Sequence, residues 1–186
     1  MPKANPNANP TDDNALMALA QQGDREAYNQ IVKRHRAAAI AFAYSFLFDV
    51  QLAEDAAQDV FVNIYITRAR YKPVCAFKTF LFRAVRNKCI DYLRKQKFKT
   101  VSLDNIETLA QNISPEEIFL NNENKKFVFE LLNNLKGDYK TALYLFAAEG
   151  LSYEDIAACM RKTIPQVKIL IYRARQKLKS EVAKNA

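Results

Sequence analysis

Glu54, Asp55 and Asp59 stand close together with no Lys or Arg between them. Carboxylates at that density do one of three things. They complement the positive end of a helix dipole, hold a divalent cation, or meet a cationic partner. Asp55 and Asp59 are four apart and share a helix face, so Mg²⁺ is open in principle. A catalytic centre needs more company than the chain offers. There is one histidine, His35, and three cysteines, Cys75, Cys89 and Cys159, with no Cys-x-x-Cys pair. With three glycines in the chain there is no phosphate-binding glycine loop. The residues point away from an enzyme and from any cofactor or metal. The odd cysteine count points to a reducing, cytoplasmic setting, with each cysteine a small apolar residue.

The cations are segregated. Residues 68–99 hold eleven Lys and Arg against one acid, Asp91. Residues 161–179 hold seven and no acid, so in a chain of net charge +8 the remainder is net negative. Solubility alone does not require such sorting; a polyanion partner does. In the first basic stretch the cations interleave with Tyr71, Phe77, Phe80, Phe82 and Tyr92. Aromatic faces stack on unpaired bases while Lys and Arg track the phosphates. The plainer alternative is a solvated basic face over an ordinary core. Phe77, Phe80 and Leu81 share a face, which assigns at least two of them to that core. Tyr71, in a loop over 71–76 next to Pro73, is the better base contact.

The second basic stretch follows a helix-turn-helix pattern. Ser152-Tyr153-Glu154-Asp155 resembles a capping box with Asp in place of Glu, and Thr163-Ile164-Pro165-Gln166 forms another. Val167, Ile171, Ala174 and Leu178 recur at helical spacing and face inward. Gln166, Ile169, Tyr172, Arg173 and Gln176 face outward, flanked by Lys168, Arg175, Lys177 and Lys179. That division suits a recognition helix, although a basic helical hairpin has it too.

Helices must position these groups. Few glycines and few alternating β-branched runs predict an all-α chain of two small domains joined by a flexible linker. Residues 1–11, rich in Asn, Pro and Ala, predict a disordered tail. The first domain spans 12–99. Gly23 breaks its first helix, and Asp24 caps the next, which carries Ala27, Tyr28, Ile31 and Val32. A long apolar helix follows through Ile40, Phe42, Tyr44, Leu47 and Phe48. Another starts near Val50, with Glu54, Asp55 and Asp59 in its first two turns. The last, Phe77–Lys97, is expected to bury Phe77, Phe80, Leu81, Ala84, Val85, Ile90 and Leu93. An acidic linker spans 100–118, and the helix-turn-helix domain spans 119–186. No stretch is long and apolar enough for a membrane span.

These segments together resemble the extracytoplasmic-function sigma factors, the small two-domain branch of the sigma-70 family. The resemblance rests on Leu19-Ala20-Gln21-Gln22-Gly23-Asp24-Arg25-Glu26-Ala27-Tyr28, Ala53-Glu54-Asp55-Ala56-Ala57-Gln58-Asp59-Val60-Phe61 and Phe77-Lys78-Thr79-Phe80-Leu81-Phe82-Arg83-Ala84-Val85-Arg86-Asn87. Glu149-Gly150-Leu151-Ser152-Tyr153-Glu154-Asp155-Ile156-Ala157 and Tyr172-Arg173-Ala174-Arg175 complete it. It implies a promoter-directing initiation factor with core RNA polymerase, promoter DNA and an anti-sigma factor as partners, without membrane insertion. Glu54, Asp55, Gln58 and Asp59 would contact the polymerase clamp. Tyr71 and Asn87 would hold a base flipped from the melted minus-ten strand, and Lys78, Arg83, Lys88, Arg94 and Lys95 would hold its backbone. Thr163, Gln166, Lys168, Ile169, Tyr172 and Arg173 would read the minus-thirty-five element. The linker would mimic RNA near the active-site cleft or act as a plain tether. Several positions depart from the family pattern. Phe80 replaces Trp, Phe146 replaces Arg, Arg161-Lys162 replaces a glycine turn, and Ile169-Leu170 replaces polar residues. Ile169 then has two readings: contact with a thymine methyl, or contact with a protein. A stand-alone helix-turn-helix regulator is the alternative function, but it leaves the acidic patch and the aromatic basic stretch without a purpose.

Overall fold

The structure, a computed structural model, describes residues 12–100, Leu135 and residues 137–185; past Lys95 and Ser180 it describes helical backbone only. The expected tail over 1–11 and the linker beyond residue 100 lie outside the described residues. Seven α-helices and one short 3-10 turn make up the described chain, with no strand among the described residues. They sort into two compact units, one holding α1–α4 and the other α5–α7.

In the first unit α1 spans Asp13–Gln21, α2 Arg25–Leu47, α3 Val50–Thr67 and α4 Phe77–Thr100, with the 3-10 turn at Arg68–Arg70. Gly23 takes φ +102, and the Asp24 carboxylate accepts the Ala27 N–H at 3.0 Å, so the break and the cap fall where expected. The two helices expected between Ala27 and Phe48 are one. Nothing between Val32 and Ile40 breaks a helix, and α2 runs unbroken to Leu47, ending on Phe48 in the left-handed region. This long helix is the spine, with α1, α3 and α4 packed against it. Phe42, in its C-terminal third, stands edge-on to Phe46 at 5.2 Å and to Phe82 at 5.1 Å.

Two expectations need correction. Glu54 and Asp55 fall in the second turn of α3, within the expected two, but Asp59 lies in the third. Asp49 caps the helix through the Leu52 N–H at 2.9 Å, and Val50–Ala53 carry no acid. The dipole field fades within one turn, so it does not account for Glu54, Asp55 and Asp59. The buried stripe of α4 is Phe77, Leu81, Phe82, Val85 and Cys89. Phe80, Ala84 and Ile90 are half-buried, and Leu93 is 40% exposed. Phe82, grouped above with the base-stacking candidates, is core. The stripe is set by contact with the aromatic face of α2, which the composition of α4 does not reveal.

In the second unit α5 spans Asp138–Ala147, α6 Tyr153–Met160 and α7 Ile164–Asn185. Val167, Ile171 and Ala174 of α7 are buried with Ile156 of α6 and Leu143 and Leu145 of α5. Leu178, expected inside, is half-buried. The Thr163 box closes both ways: Thr163 N–H donates to Gln166 Oε1 at 2.9 Å, and Gln166 N–H donates to Thr163 Oγ1 at 3.4 Å. In the Ser152 box, Asp155 N–H donates to Ser152 Oγ at 3.1 Å, and the Ser152 hydroxyl donates to the Asp155 carboxylate at 2.8 Å. Between α6 and α7, Arg161 takes the left-handed conformation at φ 55. Lys162 ties the turn to α5 through Asp138 at 2.9 Å.

Candidate functional site

Three surfaces carry the candidate residues. On α3, Asp55 and Gln58 are exposed and Glu54 is half-buried. Glu54 and Gln58 line a groove of about 680 Å³ between α2 and α3, floored by Ile40, Ala57 and Phe61. Arg36 of α2 faces Glu54 at 3.8 Å across it. Tyr28 anchors one wall by donating to the Phe61 carbonyl, and its burial pushes the phenol well above the ordinary tyrosine range. The third acid differs. Asp59 accepts from Lys88 of α4 at 2.7 Å and from the Tyr92 hydroxyl at 3.4 Å. The Lys88 hydrogen bond holds the Asp59 carboxyl below its ordinary range and raises the Lys88 ammonium. A polymerase candidate and a DNA candidate are therefore partners of each other. With Asp59 so engaged, Asp55 and Asp59 are not an open Mg²⁺ pair.

On α4, Arg83, Asn87 and Arg94 fall on one row at a helical period of 3.6. Asn87 and Arg94 are exposed and Arg83 is half-buried. Lys88 and Lys95 fall on a neighbouring row facing Asp59. Lys78 stands apart, its ammonium 5.8 Å from the Phe82 ring. Tyr71, which lies in its loop as expected, is tied down. Its hydroxyl donates to Asn14 Oδ1 of α1 at 2.8 Å, and its ring packs edge-on to Phe80 at 5.2 Å. Burial pushes the Tyr71 phenol up to about 12.

Asn14 belongs to a clamp that no motif in the chain announces. Gln21 Nε2 donates to the carbonyls of both Arg68 and Tyr71 at 2.9 Å. Arg68 Nε returns a bond to the Ala20 carbonyl at 3.1 Å, and its guanidinium lies 4.1 Å from the centre of the Tyr65 ring. The partners are some fifty positions apart, so no local pattern could have revealed them.

On α7, Ile169, Tyr172 and Arg173 are exposed, as are Thr163, Gln166 and Lys168. Thr163 and Gln166 are engaged in the cap. The Lys168 ammonium lies 5.5 Å from the Tyr153 ring centre. Phe146 stacks on Tyr153 at 5.2 Å and lies beneath Arg175 at 5.0 Å, which gives the unusual Phe a packing role.

The family models match in the same order as these surfaces: Sigma-70 region 2 over residues 31–99 and Sigma-70, region 4 over residues 128–178. The chain belongs to the sigma-70 family. Similar proteins include the ECF RNA polymerase sigma-E factor of Haemophilus influenzae, 32% identical over 91% of this chain and 95% of that one. The RNA polymerase sigma-H factor of Pseudomonas aeruginosa is 31% identical over 88% and 90%. Among solved structures, CnrH in complex with the cytosolic domain of CnrY matches with a TM-score of 0.70 and 25% identity, over 94% of this chain and 99% of that one. The sigma factor RpoE in complex with the anti-sigma factor NepR from Bartonella quintana matches with a TM-score of 0.68 and 26% identity, over 84% and 96%. This is a sigma factor of the extracytoplasmic-function type, directing RNA polymerase to promoters. The stand-alone regulator reading fails on region 2, which such a protein does not need. No helix among the described residues is long and apolar enough to cross a membrane.

Proposed function

We propose that the three surfaces divide the work of initiation, without catalysis by the chain and in the cytoplasm. Glu54, Asp55 and Gln58, with Asp59 at the end of the row, grip the polymerase clamp. Tyr71 and Asn87 hold a flipped minus-ten base, and Lys78, Arg83, Lys88, Arg94 and Lys95 hold its backbone. Thr163, Gln166, Lys168, Ile169, Tyr172 and Arg173 face the minus-thirty-five duplex. The first domain takes residues 12–99 and the second 119–186, with 100–118 as linker. The observation that carries this reading is the exposure of Asp55 and Gln58 on a face of α3 beyond the reach of the helix dipole, with Gln58 lining the groove. Exposed carboxylates there cost little until a cationic surface covers them. The anti-sigma factor on the Bartonella quintana relative supports an inhibitory partner for this chain too.

Two variants test the division. Asp55→Lys, at an exposed position, is expected to abolish capture of core polymerase with unchanged thermal unfolding. Asn87→Ala is expected to impair promoter melting at unchanged core affinity. If both fail identically at core capture, the division is wrong.

A further inference from the structure

Among the described residues of the second unit, the exposed large hydrophobic side chains are Ile164, Ile169 and Tyr172, while Phe146, Leu170 and Leu178 are half-buried. The three exposed ones lie in the first nine residues of α7. Ile169 is 49% exposed and Tyr172 64%. A solvated helix has no reason to gather its apolar exposure at one end. In a helix-turn-helix that end is the one that meets base edges.

The surrounding charge selects the occupant. Residues 161–179 carry seven cations and no acid. A duplex supplies phosphates for those cations and, in its major groove, one apolar group, the 5-methyl of thymine. The polar neighbours are partly committed to holding the helix in place. Gln166 Oε1 accepts the Thr163 N–H, and Lys168 lies near the Tyr153 ring. Ile169, Tyr172, Arg173 and Gln176 are left facing outward. Ile169 is β-branched and stiff at χ1, so it loses little rotamer freedom on contact.

The geometry points to Ile169, flanked by Tyr172, as a thymine-selecting residue that packs against the 5-methyl group in the upstream promoter element. This rests on the reading of α7 as the minus-thirty-five helix. Arg173 supplies phosphate or base-edge affinity, and Ile169 supplies discrimination.

The test uses the full chain assembled with core polymerase. Promoter duplexes are first selected from a randomised pool. Each thymine of the upstream element is then replaced singly by uracil, which removes the methyl and keeps every pairing group. One replacement is expected to weaken binding about three- to fivefold, the worth of burying one methyl-sized group. Ile169→Ala is expected to lose a similar factor on thymine and nothing further on uracil. Equal binding of thymine and uracil duplexes at every position overturns the proposal, as does an Ile169→Ala protein that still tells them apart. The uracil series on the unaltered protein stands even if the variant misfolds. Arg173→Ala separates the two layers. If it lowers binding to the selected promoter while uracil has no effect, α7 reads promoters and the thymine assignment fails. If neither Arg173→Ala nor a scrambled upstream element changes binding, the reading of α7 is what fails.

Discussion

Gln21→Ala tests whether α1 positions the loop proposed to receive a flipped base. The residue lies outside the stretch matched to Sigma-70 region 2, which begins at residue 31. It makes two hydrogen bonds, to the Arg68 and Tyr71 carbonyls, each 2.9 Å and each exposed. A neutral hydrogen bond contributes roughly 0.5–1.5 kcal/mol net, and exposed ones fall at the low end. Losing both costs about 1 kcal/mol of loop order, since water re-solvates the carbonyls. If that order is what readies Tyr71, open-complex formation falls about fivefold. Tyr71→Phe, which removes the bond to Asn14 but keeps the ring packing, should lose about half as much free energy. The assay is permanganate reactivity of melted thymines in complexes of the full chain with core polymerase, read beside core affinity. Core affinity should not move, because Gln21 does not line the α2–α3 groove. An unchanged melting signal in Gln21→Ala, or an equal fall in core affinity, refutes the reasoning.

Arg161→Gly should stabilise the second unit by about 0.5–1 kcal/mol in urea unfolding, because Arg161 sits at φ 55 where a Cβ is strained. Phe42→Ala should cost the first unit about 3–5 kcal/mol by the same measurement, since Phe42 is fully buried against Phe46 and Phe82. Lys140 is 7% exposed, and burial pushes its ammonium down to about 8 from 10.5. Between those values the unfolded chain binds more protons, so this group makes the fold more stable as pH rises from 8 to 10.5 and contributes its full penalty below 8. Lys140→Met should therefore stabilise the second unit at pH 7, by at most on the order of 3 kcal/mol, and remove that rise from the pH profile of unfolding. Thr163→Ala should cost about 1 kcal/mol through loss of the Gln166 N–H partner and, by fraying the first turn of α7, weaken promoter binding.

Much of the architecture was legible because its signals are local. Asp24 and Thr163 cap where their spacing says, since a cap needs a side-chain oxygen and an amide two or three residues away. Val167, Ile171 and Ala174 face inward because a period of 3.6 fixes a face once a helix exists. Charge segregation was legible too, because it depends on order along the chain and not on contacts. Where reading failed, distance in sequence was the cause. The buried stripe of α4 was misplaced toward Ile90 and Leu93, because Phe42 of α2 selects Phe82 across the interface.

The sequence by itself determined an all-helical chain with a helix-turn-helix, an acidic stretch and two cationic ones, since helical period, caps and charge are properties of neighbours. Only the tertiary structure decided that Asp59 faces Lys88, that Tyr71 is bound to Asn14, and that Gln21 holds the loop between them. Those bonds join residues about thirty to sixty positions apart, brought together by the packing of α1, α3 and α4 around α2.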